Sequence, residues 1–292
     1  MFIATLIAAE RLTRGDISTA ADALRAAGIE PLGQEWVEEG SACDLRLGDI
    51  AGVSAALEGA LAGVDAVVQP EAGRRKRLLA ADMDSTMIGV ECIDELADYA
   101  GRKAEIAAVT ERAMLGELDF EAALEARVKL LAGLDEAAIE RCREERVKLT
   151  PGAGTLVATM RAHGAWTLLV SGGFTAFAEP VAARLGFDEV AANRLDISDG
   201  RLGGTVARPI VGAEAKKTTM LASARSRGVA VEAVLAVGDG ANDIAMIESA
   251  GLGIAYRAKP PLAAAADARI DANDLTALLY MQGYPRREWR ED

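Results

Sequence analysis

Leu78-Leu79-Ala80-Ala81-Asp82-Met83-Asp84-Ser85-Thr86 is the stretch on which the fold turns. Its apolar half reads as a short buried strand, and two acids close it. In extended backbone, residues i and i+2 point the same way, so Asp82 and Asp84 can face one reacting centre. One carboxylate can then act as a nucleophile while the other moves a proton. A calcium loop would want glycine and glutamate where the chain has Met87 and Ile93. A cap or turn pair would make poor use of two acids closing an apolar strand. Magnesium binding without catalysis stays open on this motif alone.

Downstream, residues 89–149 carry no strand signal and several helices, separated by Gly101, Gly116 and Gly133, with Asp119 and Asp135 placed as N-caps of the last two. A helix is expected over Pro151–His163, capped by Thr150, then a strand over Trp166–Val170 and a helix to Leu185. Leu195–Val206 reads as a hairpin through Asp199-Gly200. Then come helix 214–227, strand Ala233–Val237, helix 242–250, strand Leu252–Ala255 and a last helix at 274–281. Such alternation makes the fold class α/β: a Rossmann-like parallel sheet covered by helices, with a helical cap inserted after the first strand. The site belongs at the strands' C-terminal ends.

Two further strand ends carry chemistry. Ser171-Gly172-Gly173-Phe174 offers a hydroxyl and small residues whose N–H groups can approach a phosphate, although the same letters make an ordinary loop. Gly238-Asp239-Gly240-Ala241-Asn242-Asp243 begins like a dinucleotide fingerprint, but Asp243 stands where its third glycine would be; the acids suit a magnesium site better. Lys216 and Lys217 lie between these motifs. A lysine there could neutralise a phosphate, and surface lysines at a helix start are equally common.

Upstream, Glu71–Arg77 (EAGRRKR) reads as a solvated linker. Before it, a strand at Phe2–Ala8, a helix at Ile17–Ala27, strands at Gln34–Glu38 and Ala42–Leu47, a helix at Val53–Ala62 and a strand at Val64–Val68 give the order βαββαβ. That order is ferredoxin-like, an α+β unit, and resembles the amino-acid-binding regulatory domains called ACT domains. The expected division is 1–72 for this regulatory or pairing domain and 73–292 for the rest, with core 77–88 and 150–285 around a cap at 89–149. None of the motifs precedes Arg77, so a chain begun near Gly73 is expected to keep its chemistry.

Composition narrows the function classes. A net charge of −13 argues against nucleic acid as a partner, and it requires cations to be concentrated wherever a phosphate binds. No apolar run approaches the ~18 residues of a membrane span. MFIATLIAAER lacks a basic lead-in, so no secretory signal is expected, and Cys43, Cys92 and Cys142 read as reduced thiols of a cytoplasmic protein. His163 is the lone histidine, which removes zinc pairs and leaves little room for a serine triad, so if the chain is an enzyme, carboxylates are expected to carry its proton chemistry. His163 itself reads as a helix-end residue.

Four ordered stretches, Asp82–Asp98 (DMDSTMIGVECIDELAD), Val109–Leu131 (VTERAMLGELDFEAALEARVKLL), Val170–Phe174 (VSGGF) and Val237–Ile247 (VGDGANDIAMI), resemble the phosphoserine phosphatases of the haloacid dehalogenase-like superfamily. The resemblance implies hydrolysis of L-phosphoserine, the last step of serine biosynthesis, through an aspartyl-phosphate on Asp82, with Asp84 as general acid and then base. It implies Mg2+ held by Asp82, the Asp84 carbonyl and Asp239, with Asp243 in support. Ser171, Gly172, Gly173 and Lys216 would hold the phosphoryl group, Lys217 being the fallback, with Asn242 beside it. In the cap, Glu91 would meet the substrate ammonium and Arg127 its carboxylate, while Met114 and Phe120 shield the site. Cap hinges would lie near Gly89 and Thr150-Pro151-Gly152, and an ACT-like domain implies homodimer pairing. Two rivals remain: a phosphotransferase that passes the group to an alcohol such as homoserine, and a non-enzymatic receiver module, which would need neither cap nor Asp84.

Overall fold

The computed structural model describes residues 1–112 in full, the backbone of 113 and 114, and residues 117–291. At the N-terminus, β1 (Phe2–Ala8), α1 (Arg14–Ala26), β2 (Gly33–Glu38), β3 (Ala42–Leu47), α2 (Val53–Leu57) and β4 (Val64–Pro70) build an antiparallel sheet in the order β2-β3-β1-β4. This is the ferredoxin-like arrangement. Helix α1 starts three residues before the expected Ile17, because Thr13 and Asp16 form a capping box. Helix α2 stops at Leu57, short of Ala62, where Gly59 and Gly63 take left-handed backbone.

Both faces of β1 are buried. Ala4 and Leu6 pack with Ile17 and Leu24 under the helices. Ile3, Thr5 and Ile7 point the other way and are at most 1 % exposed, with Ile7 in one cluster with Leu275 and Leu278 of the chain's C-terminal segment. The sheet face that such a domain could offer to a second copy is therefore occupied by its own chain.

EAGRRKR is not a solvated connector. Arg74 pairs with Asp44 at 2.6 Å and donates to the carbonyls of Met281 and Tyr280. Lys76 is buried and donates to the Glu232 carbonyl. The basic run docks the two sheets onto one another through partners far away in sequence.

The second sheet contains β5 (Leu78–Ala81). A cap of α3 (Cys92–Tyr99), α4 (Lys103–Met114), α5 (Phe120–Leu130) and α6 (Ala137–Arg146) follows. The chain continues with α7 (Ala153–Ala162), β6 (Trp166–Phe174), α8 (Thr175–Leu185), β7 (Glu189–Asn193) and the hairpin β8 (Leu195–Ser198) and β9 (Arg201–Val206). It ends with α9 (Ala213–Ser226), β10 (Val234–Gly238), α10 (Ile244–Glu248), β11 (Leu252–Tyr256), α11 (Pro260–Ala265), β12 (Ala268–Ile270) and α12 (Ala277–Tyr280). The parallel order is β12-β11-β10-β5-β6-β7. The chain winds outward from β5 to β7, then crosses to β10 on the other side. That reversal opens a crevice at the C-terminal ends of β6, β5 and β10, the three strands whose ends carry the motifs.

The larger differences from the sequence reading lie at α7, β6 and the C-terminal segment. Helix α7 begins after Gly152, not at Pro151, since Gly152 is left-handed (φ 82°) and a Cβ there would lie 2.7 Å from the Thr276 amide. Strand β6 runs on through Ser171–Phe174, with a register shift against β7. Helix α11 and strand β12 arise from an alanine-rich tract that gave no signal of either. Helix α12 covers only four of the eight residues expected.

The hairpin closes at Asp199 (φ 51°) and Gly200 (φ 70°) and reaches the cap. Leu202 donates to the Leu134 carbonyl at 2.9 Å, and Gly133 donates back to Leu202 at 2.8 Å. The cap is thus fastened to the core by the hairpin as well as by its two ends.

Candidate active site

Strand β5 is fully buried and delivers Asp82 to the crevice, 3 % exposed. The next turn is tight: the Met83 amide donates to Asp82 Oδ1 at 2.8 Å, Ser85 takes φ 56°, and Ile88 donates to the Met83 carbonyl. Asp84 lies inside this turn with Oδ1 buried and without a hydrogen-bond partner among the described residues. Its Oδ2 would stand 2.8 Å from a Cβ on Gly173, so only glycine lets β6 approach this closely. Ser85 Oγ donates to Glu91 Oε1 at 2.8 Å and fixes that carboxylate at the start of α3.

From β6, Ser171 is 1 % exposed, and its Oγ accepts from the Gly173 amide at 2.9 Å, which leaves the hydroxyl hydrogen free to donate outward. From α9, Lys216 is fully buried, with Nζ 2.7 Å from Asp82 Oδ1 and 2.7 Å from Asp243 Oδ1. Lys217 faces away and lies 3.5 Å from Glu214. From the end of β10, Asp243 Oδ2 accepts the amides of Asp239 and Gly240.

Asp82, Asp239 and Asp243 each bring one carboxylate oxygen within 4.8 Å of the others. Three buried acids around one ammonium leave excess negative charge. Burial, the neighbouring Asp243 and then Asp84 push Asp82 well above the usual carboxylate range, although Lys216 opposes them. Burial and the Asp243 charge raise Asp239 to about 6. Burial, and then the Glu91 charge, raise Asp84 to about 7. Burial alone would lower the Lys216 ammonium, but Asp243 and Asp82 together raise it. An all-oxygen acidic cluster with unspent charge and an orphaned oxygen beside it fits a hard divalent cation. Both oxygens of Asp243 are already engaged, so it supports the cluster more than it offers ligands.

The cap closes the crevice into a cavity of about 450 Å3, lined by Asp82, Asp84, Glu91, Arg127, Asn242 and Lys259 among others. Phe120, the first residue of α5, lies over two glycines: a Cβ on Gly172 would meet its ring at 3.0 Å, and one on Gly212 at 3.1 Å. Arg127 follows two turns later. Its Nε donates to the Ala123 carbonyl, and among the described residues no carboxylate lies within 4.0 Å of its guanidinium. The Met114 side chain lies outside the described residues. Lys259, which the sequence reading passed over, follows β11 and places Nζ 3.9 Å from Asp239 Oδ2; its position just beyond a fourth strand end was the available signal. His163 packs on Tyr284, away from the cavity.

The sequence pattern of the haloacid dehalogenase-like hydrolases matches residues 79–248, more than half of the chain. The chain belongs to that family. Among relatives of this chain, a phosphoserine phosphatase of Streptomyces coelicolor is 45 % identical over 235 residues, which are 80 % of this chain and 57 % of that one. Matches to the first three curated relatives span from 53 % to 63 % of their length, less than two thirds. Among solved structures, a probable phosphoserine phosphatase of Vibrio cholerae superimposes with TM-score 0.79 at 33 % identity, covering 97 % of this chain and 86 % of that one. A phosphoserine phosphatase solved as a phospho-aspartyl intermediate analogue gives 0.66 at 39 % identity, covering 70 % of this chain and 98 % of that one.

Proposed function

We propose that this protein hydrolyses L-phosphoserine to L-serine and phosphate through an aspartyl-phosphate on Asp82, with Mg2+ as its cation. The observation that carries the reading is the pairing of opposite chemistries in one cavity. Two carboxylates from a single turn stand at its floor, and an Arg127 guanidinium without a carboxylate partner among the described residues enters from the cap near Glu91. A phosphoamino acid has the matching groups: a phosphoryl for the floor, a carboxylate for Arg127 and an ammonium for Glu91.

The Asp82 carboxylate forms a bond to phosphorus as the bond from phosphorus to the serine oxygen breaks. Asp84, held near neutrality in its pKa, gives its proton to that oxygen. Serine leaves, Asp84 takes a proton from water, and the water oxygen displaces Asp82 from phosphorus. Ser171 Oγ, the backbone of Gly172 and Gly173, Lys216 and Asn242 hold the phosphoryl oxygens. Asp82, the Asp84 carbonyl and Asp239 would hold Mg2+, with Asp243 in support, and the bound ion would offset the charge of the carboxylates and phosphoryl group. Phe120 keeps bulk water out of the first step.

The free, buried cysteines suit a reducing cytoplasm. A homodimer formed through the N-terminal domain would fit the edge strand β2, which is exposed or half-buried along its length, since both faces of β1 are covered. Phosphate release from L-phosphoserine, measured with and without magnesium and beside D-phosphoserine, phosphothreonine and an added alcohol, tests the reading. Magnesium-dependent release selective for the L-form supports it. Quantitative transfer to the alcohol would make the protein a phosphotransferase, and no turnover would overturn the proposal.

A further inference from the structure

Asn193 ends β7 as the sole amide in Glu-Val-Ala-Ala-Asn, and it is 1 % exposed. Its side chain makes three hydrogen bonds: Nδ2 donates to the Gly172 carbonyl at 2.9 Å and to the Val211 carbonyl at 3.2 Å, and Oδ1 accepts the Val211 amide at 2.7 Å. A peptide N–H can only donate, so the Val211 contact fixes which way the carboxamide faces.

The partners are two separate parts of the candidate site. Gly172 sits between Ser171 and Gly173, whose hydroxyl and amide form the phosphate loop. Val211 precedes Gly212, the N-cap of α9, and the first turn of that helix carries Lys216, whose amide donates to the Gly212 carbonyl at 2.9 Å. Between Asn193 and Val211 the chain leaves the sheet to make the β8–β9 hairpin, so backbone continuity does not hold these two ends in register. The carboxamide does.

Resting on the phosphatase reading above, we propose that Asn193 is a positioning residue that sets the separation of the Ser171–Gly173 loop from Lys216, and thereby the fit of the phosphoryl group. It touches neither the acidic cluster nor the cap residues Glu91 and Arg127. Its loss should therefore weaken phosphoryl binding while leaving the cation and the amino-acid head unaffected. Asn193→Asp keeps the shape and the bond from the Val211 amide but sets a carboxylate against two carbonyl oxygens; Asn193→Ala removes all three bonds.

Inhibition by inorganic phosphate and steady-state turnover of L-phosphoserine separate this role from a general loss of structure. Both variants should raise the inhibition constant for phosphate and lower kcat by roughly 10- to 100-fold each. The magnesium half-saturation and the preference for L- over D-phosphoserine should stay within about threefold of the parent protein. Parallel loss of all four quantities, or variants that match the parent, would overturn the assignment. Hydrogen exchange on the unaltered protein gives a reading even where the variants do not fold. The Val211 amide should be protected and slow further when inorganic phosphate is added; exchange at the rate of an open loop contradicts the clamp. An unaltered protein that neither binds phosphate nor hydrolyses phosphoserine removes the phosphatase reading and this role together.

Discussion

The Lys216 ammonium lies 2.7 Å from Asp82 Oδ1, and neither side chain is more than 5 % exposed. A buried cation bonded to one acid and also to Asp243 is part of the foundation of the site as well as its chemistry. Lys216→Ala leaves two acids buried without their cation, and should destabilise the protein by about 3–5 kcal/mol as well as abolish turnover. Asp82→Asn should abolish turnover alone, since an amide cannot attack phosphorus and Lys216 keeps Asp243. Thermal melts beside activity check the pair; a folded Asp82→Asn variant with near-normal turnover contradicts the mechanism.

The acidic cluster makes stability depend on pH and metal together. Asp239, raised to about 6, and Asp84, raised to about 7, hold protons in the cation-free fold that the unfolded chain releases near its ordinary carboxylate pKa of ~4. Their contribution to stability is present below that value and is lost as pH rises through 6 to 7. On the proposed reading magnesium competes with those protons, so the rise in Tm that it produces should be larger near pH ~8 than near pH ~5. Melts in chelator and in magnesium at both pH values test this, and an equal or larger rise at the acid end speaks against a cation among these carboxylates.

On the proposed reading, Arg127 is the residue that meets the carboxylate of the amino-acid head. Arg127→Ala should cost about 2–4 kcal/mol, or roughly 30- to 1,000-fold in kcat/KM, for L-phosphoserine, and far less for a phosphate ester without a carboxylate. Equal losses on both substrates would make the residue structural.

Asp65 joins the two sheets. Its carboxylate accepts the amides of Asp271, Ala272 and Asn273 and the side chain of Asn273, and the same segment runs on to Leu275, whose amide donates to the Pro151 carbonyl where the cap rejoins the core. Asp65→Ala leaves three amides without an acceptor and should lower stability by about 2–4 kcal/mol in denaturant unfolding. For the same reason, a chain begun near Gly73 should lose stability before it loses chemistry. An unchanged midpoint for Asp65→Ala would show that water replaces the carboxylate.

What the sequence disclosed follows a physical division. The three strand-end motifs were readable because apolar runs ending in acids or glycines are local patterns, and the helical insertion was readable from its lack of strand signal. Lys216 and Lys217 could not be separated by spacing, because neighbours on a helix differ only by about 100° of rotation; burial distinguishes them. EAGRRKR looked solvated because the partners of Arg74 and Lys76 lie at Asp44, Tyr280 and Glu232. Strand β12 is three residues long and exists through pairing with β11, not through its own propensity. Asn193 was invisible for the same reason, since its role depends on two loops that only the fold brings together.

The central claim is a covalent phosphoryl group on Asp82, and acid-quenched mixing with radiolabelled L-phosphoserine in magnesium tests it most directly. The label should appear on the peptide that contains Asp82 within the first turnover. It should persist longer in Asp84→Asn, which slows loss of the group by something like 10²–10⁴-fold, and should be absent in Asp82→Asn. Label on another residue, or full turnover with no label retained in either the parent protein or Asp84→Asn, would contradict the account.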